Sequence, residues 1–186
     1  MVTITELWQP ILLAAALAFI AGGLLHMVLP LHAKDFTKLP DEPGTLAQLK
    51  ASGAAPGAYM LPCPSGPKDM NNPEFVAKLA NGPVGIMFLR RPGPVAMGGS
   101  LALQGLFHLI VTIFVAYLAG RTLGPGVDYL RVFQVAGTTA TLAYAAGGFP
   151  FAIWYRPPVR FVMANLLDGV IWGLLTAGAF GWLWPR

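Results

Sequence analysis

The sequence predicts an all-α membrane protein, a four-transmembrane-helix bundle with a small Pro-rich α/β cytoplasmic loop domain between helices 1 and 2. Three observations predict it. The chain carries 12 basic and 8 acidic residues among 186, while 55% of it is hydrophobic; a soluble domain carries about 25% charged residues. Four long stretches hold almost none of that charge. Ten of the 17 prolines fall between His32 and Met97, which excludes long helices there and leaves them to the flanking segments. The expected organisation is a transmembrane helix over residues 1–31, an extramembrane loop domain over 32–98 and transmembrane helices 2–4 over 99–186.

The first segment is expected from Trp8 to Leu31, a run that would extend roughly 36 Å as a helix and cross a bilayer with some tilt. No Lys or Arg precedes it, Glu6 does, and no cleavage site stands before Pro30, so it reads as a retained helix and not as a secretory signal. Ala14, Ala18 and Gly22 recur every four residues, a small-residue stripe that lets another helix approach closely. Pro30 has no N–H to donate, and its ring would crowd the carbonyl of His26. A histidine, a freed carbonyl and a helix exit are therefore expected to coincide.

Two short helices are expected in the loop domain. One runs from Thr45 to Lys50. The other runs from Pro73 to Leu79, with Asn72 as N-cap, Pro73 in the first turn and Asn81-Gly82 as the stop. Ala58–Leu61 and Val84–Leu89 are strand candidates that can pair as a small sheet.

Segment two is expected from Ser100 to Ala119, segment three from Leu130 to Phe149 and segment four from Val159 to Trp184. Segment four carries Gly169, Gly173, Ala177 and Gly181 at four-residue spacing, a face suited to helix association or self-association. Four spans would put both termini on one side with Arg121, Arg131 and Arg186. The other side would hold the large loop and the remaining nine basic residues. The positive-inside rule then places that loop in the cytoplasm and the termini outside.

Formal net charge is +4, but no basic run exceeds Arg90-Arg91, and no aromatic–basic stripe accompanies it, so nucleic acid is not an expected partner. The single cysteine, Cys63, excludes an intramolecular disulfide and a thiolate-only metal site within one chain.

Asp168 is the most informative residue. A carboxylate near mid-membrane costs about 2.5–3.5 kcal/mol on insertion scales, so it should face protein or water and find a partner. Gln104 and His108 share one helix face, Asn165 and Asp168 another. With His26 they form an expected intramembrane polar cluster, in which His108 is the expected partner of Asp168. Three readings stay open for it: a structural clasp fixing helix register, a proton, ion or substrate pathway, and a metal or haem site. His26 and His32 lie six apart on different helix faces and do not read as a helical metal pair; His32 is expected among headgroups. Cys63 with His32 resembles a nucleophile pair, but no third group or oxyanion hole accompanies it. No catalytic residue, metal ligand or cofactor is assigned from the sequence.

The segments His26-Met-Val-Leu-Pro-Leu-His32, Lys38-Leu-Pro-Asp-Glu42, Tyr59-Met-Leu-Pro-Cys-Pro64 and Thr176-Ala-Gly-Ala-Phe-Gly-Trp-Leu-Trp184 resemble those of a family of small bacterial inner-membrane proteins without an assigned activity. The resemblance covers the whole chain and implies a bacterial inner membrane and four spans. The functional expectation is an accessory or scaffolding membrane protein in a larger assembly, with the lipid bilayer and other membrane proteins as partners. The alternatives are a small transporter or channel-like protein using the polar cluster, and a membrane metal- or haem-binding protein.

Overall fold

The computed structural model describes residues 1–186. It is mostly helical and contains one two-stranded sheet. Two compact units make it up: Met1–Thr37 with Ala96–Arg186, and Lys38–Val95. The helical unit thus reaches six residues past the expected boundary at residue 31.

Three helices are long and apolar enough to cross a membrane: Trp8–Val28, Met97–Thr122 and Val159–Trp182. The first consists of α1 (Trp8–Gly23) and a π-helical turn over Leu24–Val28. Leu29 is extended, as expected of a residue preceding proline. Pro30 therefore lies beyond the helix and crowds no carbonyl within it. The second and third are α4 (Met97–Thr122) and α7 (Val159–Trp182). The expected third segment is not a single helix. It divides into α5 (Tyr129–Thr141), a π-helical turn over Leu142–Ala146, and α6 (Gly148–Tyr155). The break coincides with Gly147-Gly148, which favour no helix, and with Pro150, which fits the first turn of a new one.

The helical unit is packed from small side chains. Ala14, Ala18, Ala116, Ala119, Ala136, Ala140 and Ala177 are buried, whereas Leu12, Ile20, Leu103, Phe114, Leu174 and Trp182 are exposed. Lipid tails are as apolar as leucine, so hydrophobicity does not drive such helices together, and close backbone approach does. The glycines of α7 show this directly. A Cβ on Gly169 would lie 2.9 Å from Ala145 Cβ, and one on Gly173 would lie 3.0 Å from Thr141 Cα. One on Gly181 would meet the Tyr129 ring at 2.7 Å, while Ala177 sits against Gly137. The face expected to support self-association is filled from within the chain by α5 and its π turn. The stripe on α1 behaves likewise: Ala14 and Ala18 are fully buried, and Gly22 lies under Trp172.

Both chain ends are tied to the end of the unit where α4 finishes. Val2 N donates to Gly120 O at 2.9 Å. Trp184 Nε1 donates to Gly124 O at 2.9 Å, and Gly126 N to Pro185 O at 2.9 Å.

The unit Lys38–Val95 holds α2 (Glu42–Ala51), β1 (Gly57–Leu61), α3 (Pro73–Asn81) and β2 (Gly85–Leu89). The strands pair antiparallel with Gly57 opposite Leu89 and Leu61 opposite Gly85. Asp41 caps α2 by accepting from Gly44 N at 3.0 Å, and Asn72 caps α3 by accepting from Glu74 N at 3.0 Å. These caps satisfy N–H groups that a helix end otherwise leaves orphaned.

Candidate functional site

Asp168 is the sole carboxylate within the three long helices, and its side chain is 2% exposed. Its partners are His26 and His32. His26 Nε2 lies 2.8 Å from Asp168 Oδ2, in hydrogen-bond geometry. His32 Nε2 lies 3.0 Å from the same oxygen but is not aligned for a hydrogen bond with it. His108, the expected partner, belongs elsewhere.

Local backbone builds this arrangement. The π turn closes through Leu29 N donating to Leu24 O at 2.8 Å. A π turn adds one residue to the helical circuit and rotates the side chains that follow, here carrying His26 toward α7. Leu29 and Pro30 then end the helix, and the chain doubles back through turns in which Ala33 N bonds Pro30 O and Asp35 N bonds His32 O. Arg160, at the start of α7, donates to Leu31 O at 2.6 Å and holds the returning segment in place. Phe36 packs edge-on against Phe161 with centroids 6.0 Å apart. As a result the His26 and His32 rings stack, centroids 3.8 Å apart and planes 10° from parallel. The expectation that these histidines do not pair assumed a continuing helix. The helix ends between them, so helical face spacing does not apply.

A second layer fixes the first. His32 Nδ1–H donates to Asp35 Oδ2 at 2.6 Å. Asp35 is also 2% exposed in its side chain, and Arg160 Nε approaches its Oδ1 at 3.8 Å. Binding of Nδ1 by a carboxylate sets the ring so that Nε2 faces Asp168, the arrangement found behind metal-ligating histidines. Far from sitting freely among headgroups, the His32 side chain is 10% exposed. Burial disfavours its charge, but the Asp35 hydrogen bond and the Asp168 carboxylate outweigh that, and its pKa is raised above the ordinary 6.5.

One ring nitrogen of His26, one of His32 and one Asp168 oxygen all lie within 4.8 Å of one another. Three buried atoms here lack hydrogen-bond partners: His32 Nε2, Asp168 Oδ1 and Asp35 Oδ1. Buried polar atoms are nearly always satisfied, so three orphans in one cluster mark a place where another group belongs.

The other expected residues fall into a separate place. Gln104 Nε2 lies 3.0 Å from His108 Nε2, and His108 Nδ1 lies 3.3 Å from Tyr144 Oη. His108 is fully buried and meets Trp172 edge to face at 5.0 Å. Gln104, His108, Tyr144 and Trp172 thus form their own aromatic–polar group. Asn165 joins neither cluster: its Nδ2 donates to Phe161 O at 2.8 Å. Cys63 is exposed and contacts only a neighbouring backbone, with Sγ 3.7 Å from Pro64 O.

Sequence reasoning missed Asp35 and Arg160. The one available signal was the spacing of His32 and Asp35, three apart just after a helix-ending proline, where a turn brings side chains together. No family model, curated protein or solved structure matches this chain.

Proposed function

We propose that this is a membrane protein whose working site binds a divalent transition metal of the zinc class through His26, His32 and Asp168. The observation that carries the reading is the convergence of these ligand atoms within 4.8 Å, with His32 oriented by Asp35. Two imidazoles and one carboxylate form a borderline donor set that suits zinc, and three protein ligands leave a coordination position open to water or a substrate. In a tetrahedral site with bonds of about 2.0–2.1 Å, ligand atoms stand roughly 3.3 Å apart. The observed 2.8 and 3.0 Å separations from Asp168 Oδ2 require an opening of a few tenths of an ångström, and the two near-parallel rings must turn out of their stack so that both in-plane lone pairs point at the ion. The metal would take the place of the proton on His26 Nε2, and binding would release it.

The site lies in a chain with three helices fit to cross a membrane. A fourth crossing by α5, its π turn and α6 is part of this proposal, because residues 129–155 together extend about 40 Å at 1.5 Å each. So are a bacterial inner membrane, a cytoplasmic large loop and external termini, supported by the nine-to-three division of basic residues. The His–His–Asp site then opens toward the cytoplasm. An accessory role in a membrane assembly is compatible with it. Its support is the loop unit, where Met60, Leu61, Val84 and Phe88 are exposed.

Zinc titration of detergent-purified protein against a chromophoric chelator tests the metal reading. One zinc per chain is expected, with affinity reduced at least about tenfold in His26→Ala, His32→Ala and Asp168→Ala. Absence of saturable binding, or equal binding by wild type and all three variants, would remove the site.

A further inference from the structure

Val162, Leu166, Gly169 and Gly173 share one face of α7, and side-chain size changes along it. At Gly169 the neighbouring segment closes to contact, where a Cβ would lie 2.9 Å from Ala145 Cβ. Past Gly147 the chain begins α6, and between α6 and the Val162–Leu166 part of α7 lies a cavity of about 310 Å³. Phe149, Phe151 and Ala152 form one wall, Phe161, Val162 and Leu166 the other, and Pro157 of the connecting turn also lines it. A cavity of about 150 Å³ holds the six carbons of benzene, so this one holds roughly twelve carbons of a chain.

We propose that this cavity seats one acyl chain of an anionic phospholipid whose phosphate lies against Arg156. The walls ask for hydrocarbon. Asp168 Oδ1 and Trp172 Nε1 belong to lining residues but are themselves buried, so neither meets an occupant. Tyr144 Oη is engaged with His108. Asn165 gives one N–H to Phe161 O and keeps the other, together with Oδ1. It is exposed and stands about 9 Å along α7 from Val159. With the phosphate at Arg156, that is the level of the glycerol esters and their water, where the N–H suits an ester carbonyl and Oδ1 a water.

Charge selects the head. Arg156 ends α6 in a left-handed conformation at φ 47° and directly precedes Pro157. It is exposed, and the carboxylates of the helical unit are all otherwise engaged. Glu6 is bonded by Thr3, Asp128 caps α5, Asp35 is held by His32 and Arg160, and Asp168 by the imidazoles. A cation without a protein partner at the end of an apolar cavity suits a lipid phosphate. Trp154 and Tyr155, also exposed, are the residue types that sit at headgroup level beside it. The reading rests on the membrane placement proposed above and on no bound metal.

The test uses the full chain in phosphatidylcholine vesicles with chelator present, so that its failure is distinct from failure of the metal site. The probes are phosphatidylglycerol and phosphatidylcholine carrying the same diazirine-bearing acyl chain, and photo-adducts are located by peptide mass spectrometry. The anionic probe is expected to label the cavity walls about fivefold more than the zwitterionic one, the scale of one arginine near anionic lipid. Leu103 and Phe114, exposed on α4, should take both probes equally. Arg156→Gly, which removes the charge and favours the left-handed backbone, should remove the preference. Ala152→Phe, and Val162→Trp from the opposite wall, should remove most cavity labelling and leave that of α4. Equal labelling of the wild-type cavity by the two probes would overturn the proposal. So would cavity labelling unchanged in both filling variants. Absence of labelling on α4 as well would overturn the membrane placement and this proposal with it.

Discussion

The imidazoles of His26 and His32 lie face to face at 3.8 Å, although five residues, one of them proline, separate them in the chain. Two imidazolium ions would repel at that distance. The stack therefore suits at most one charged ring, held by Asp168 and Asp35, and sharing a metal ion would require the neutral rings to turn out of it. This choice between a metal ion and a proton makes the site testable from several directions.

Asp35 should matter to metal affinity without touching the metal. It fixes the His32 ring through Nδ1. Asp35→Asn is expected to weaken zinc binding by roughly 10–100-fold, the usual effect of removing a carboxylate behind a ligating histidine. Its circular dichroism should match wild type. Unchanged zinc affinity would show that ring orientation does not depend on this carboxylate.

The pH dependence has a definite sign. The folded-state pKa of His32 is raised, so its protonated form stabilises the metal-free fold. That contribution is complete below the unfolded value near 6.5 and is lost as pH rises through the folded value. Zinc needs the neutral ring and competes with that proton. The groups beside His32 are Asp35 on its own segment, His26 stacked on it and Asp168 on α7, and Arg160 of α7 contacts Asp35. Zinc affinity should therefore be lower at pH 6 than at pH 8, while the metal-free protein loses some thermal stability over the same interval. A flat affinity profile would mean that His32 is not a ligand.

His108 belongs to a group separate from the metal ligands, so His108→Gln is expected to leave zinc affinity within about twofold, as for independent sites. It should lower the melting temperature in detergent, because His108 is fully buried and bonded to Gln104 and Tyr144. A large loss of zinc binding would show that the two groups act as one.

Packing of α7 on α5 gives a stability prediction. Gly173→Val puts side-chain atoms where Thr141 Cα would already stand 3.0 Å from a first Cβ. Overpacking of this kind costs about 1–3 kcal/mol. Gly99→Ala on α4, with nothing within 4 Å of its Cβ, should be neutral or stabilising by up to about 1 kcal/mol. Thermal unfolding in detergent compares the two. Equal midpoints would show that the glycine face is not the contact it forms here.

Orientation can be read from Cys63, the one thiol, which is exposed. A membrane-impermeant maleimide should label it only after the membrane is opened if the large loop is cytoplasmic. Rapid labelling in intact cells would invert the assignment.

Much of the fold was legible because its causes are local. Apolar length marked the three long helices, and Asn72-Pro73 marked the start of α3. The short apolar runs Ala58–Leu61 and Val84–Leu89 marked the strand pair. Burial of Asp168 was legible from cost alone, since a lone carboxylate facing lipid is expensive. The division of the third segment was harder to read, because its hydropathy is continuous across Gly147-Gly148 and only backbone geometry reveals the break.

The identity of Asp168's partner is different in kind. Helix-face spacing grouped Gln104 with His108 and Asn165 with Asp168 and made His108 the expected partner, but spacing along one helix leaves open how that helix is rotated against its neighbours. By itself the sequence determined that a carboxylate in an apolar helix would be buried and that small residues would line the contacts. Only the tertiary structure decided which imidazoles meet it. The π turn at Leu24–Val28 rotates His26 toward α7, and the chain reversal after Pro30 lays His32 over it. Both depend on how α1 seats against α7 and on Arg160 holding Leu31, contacts between residues more than a hundred positions apart that no local pattern encodes.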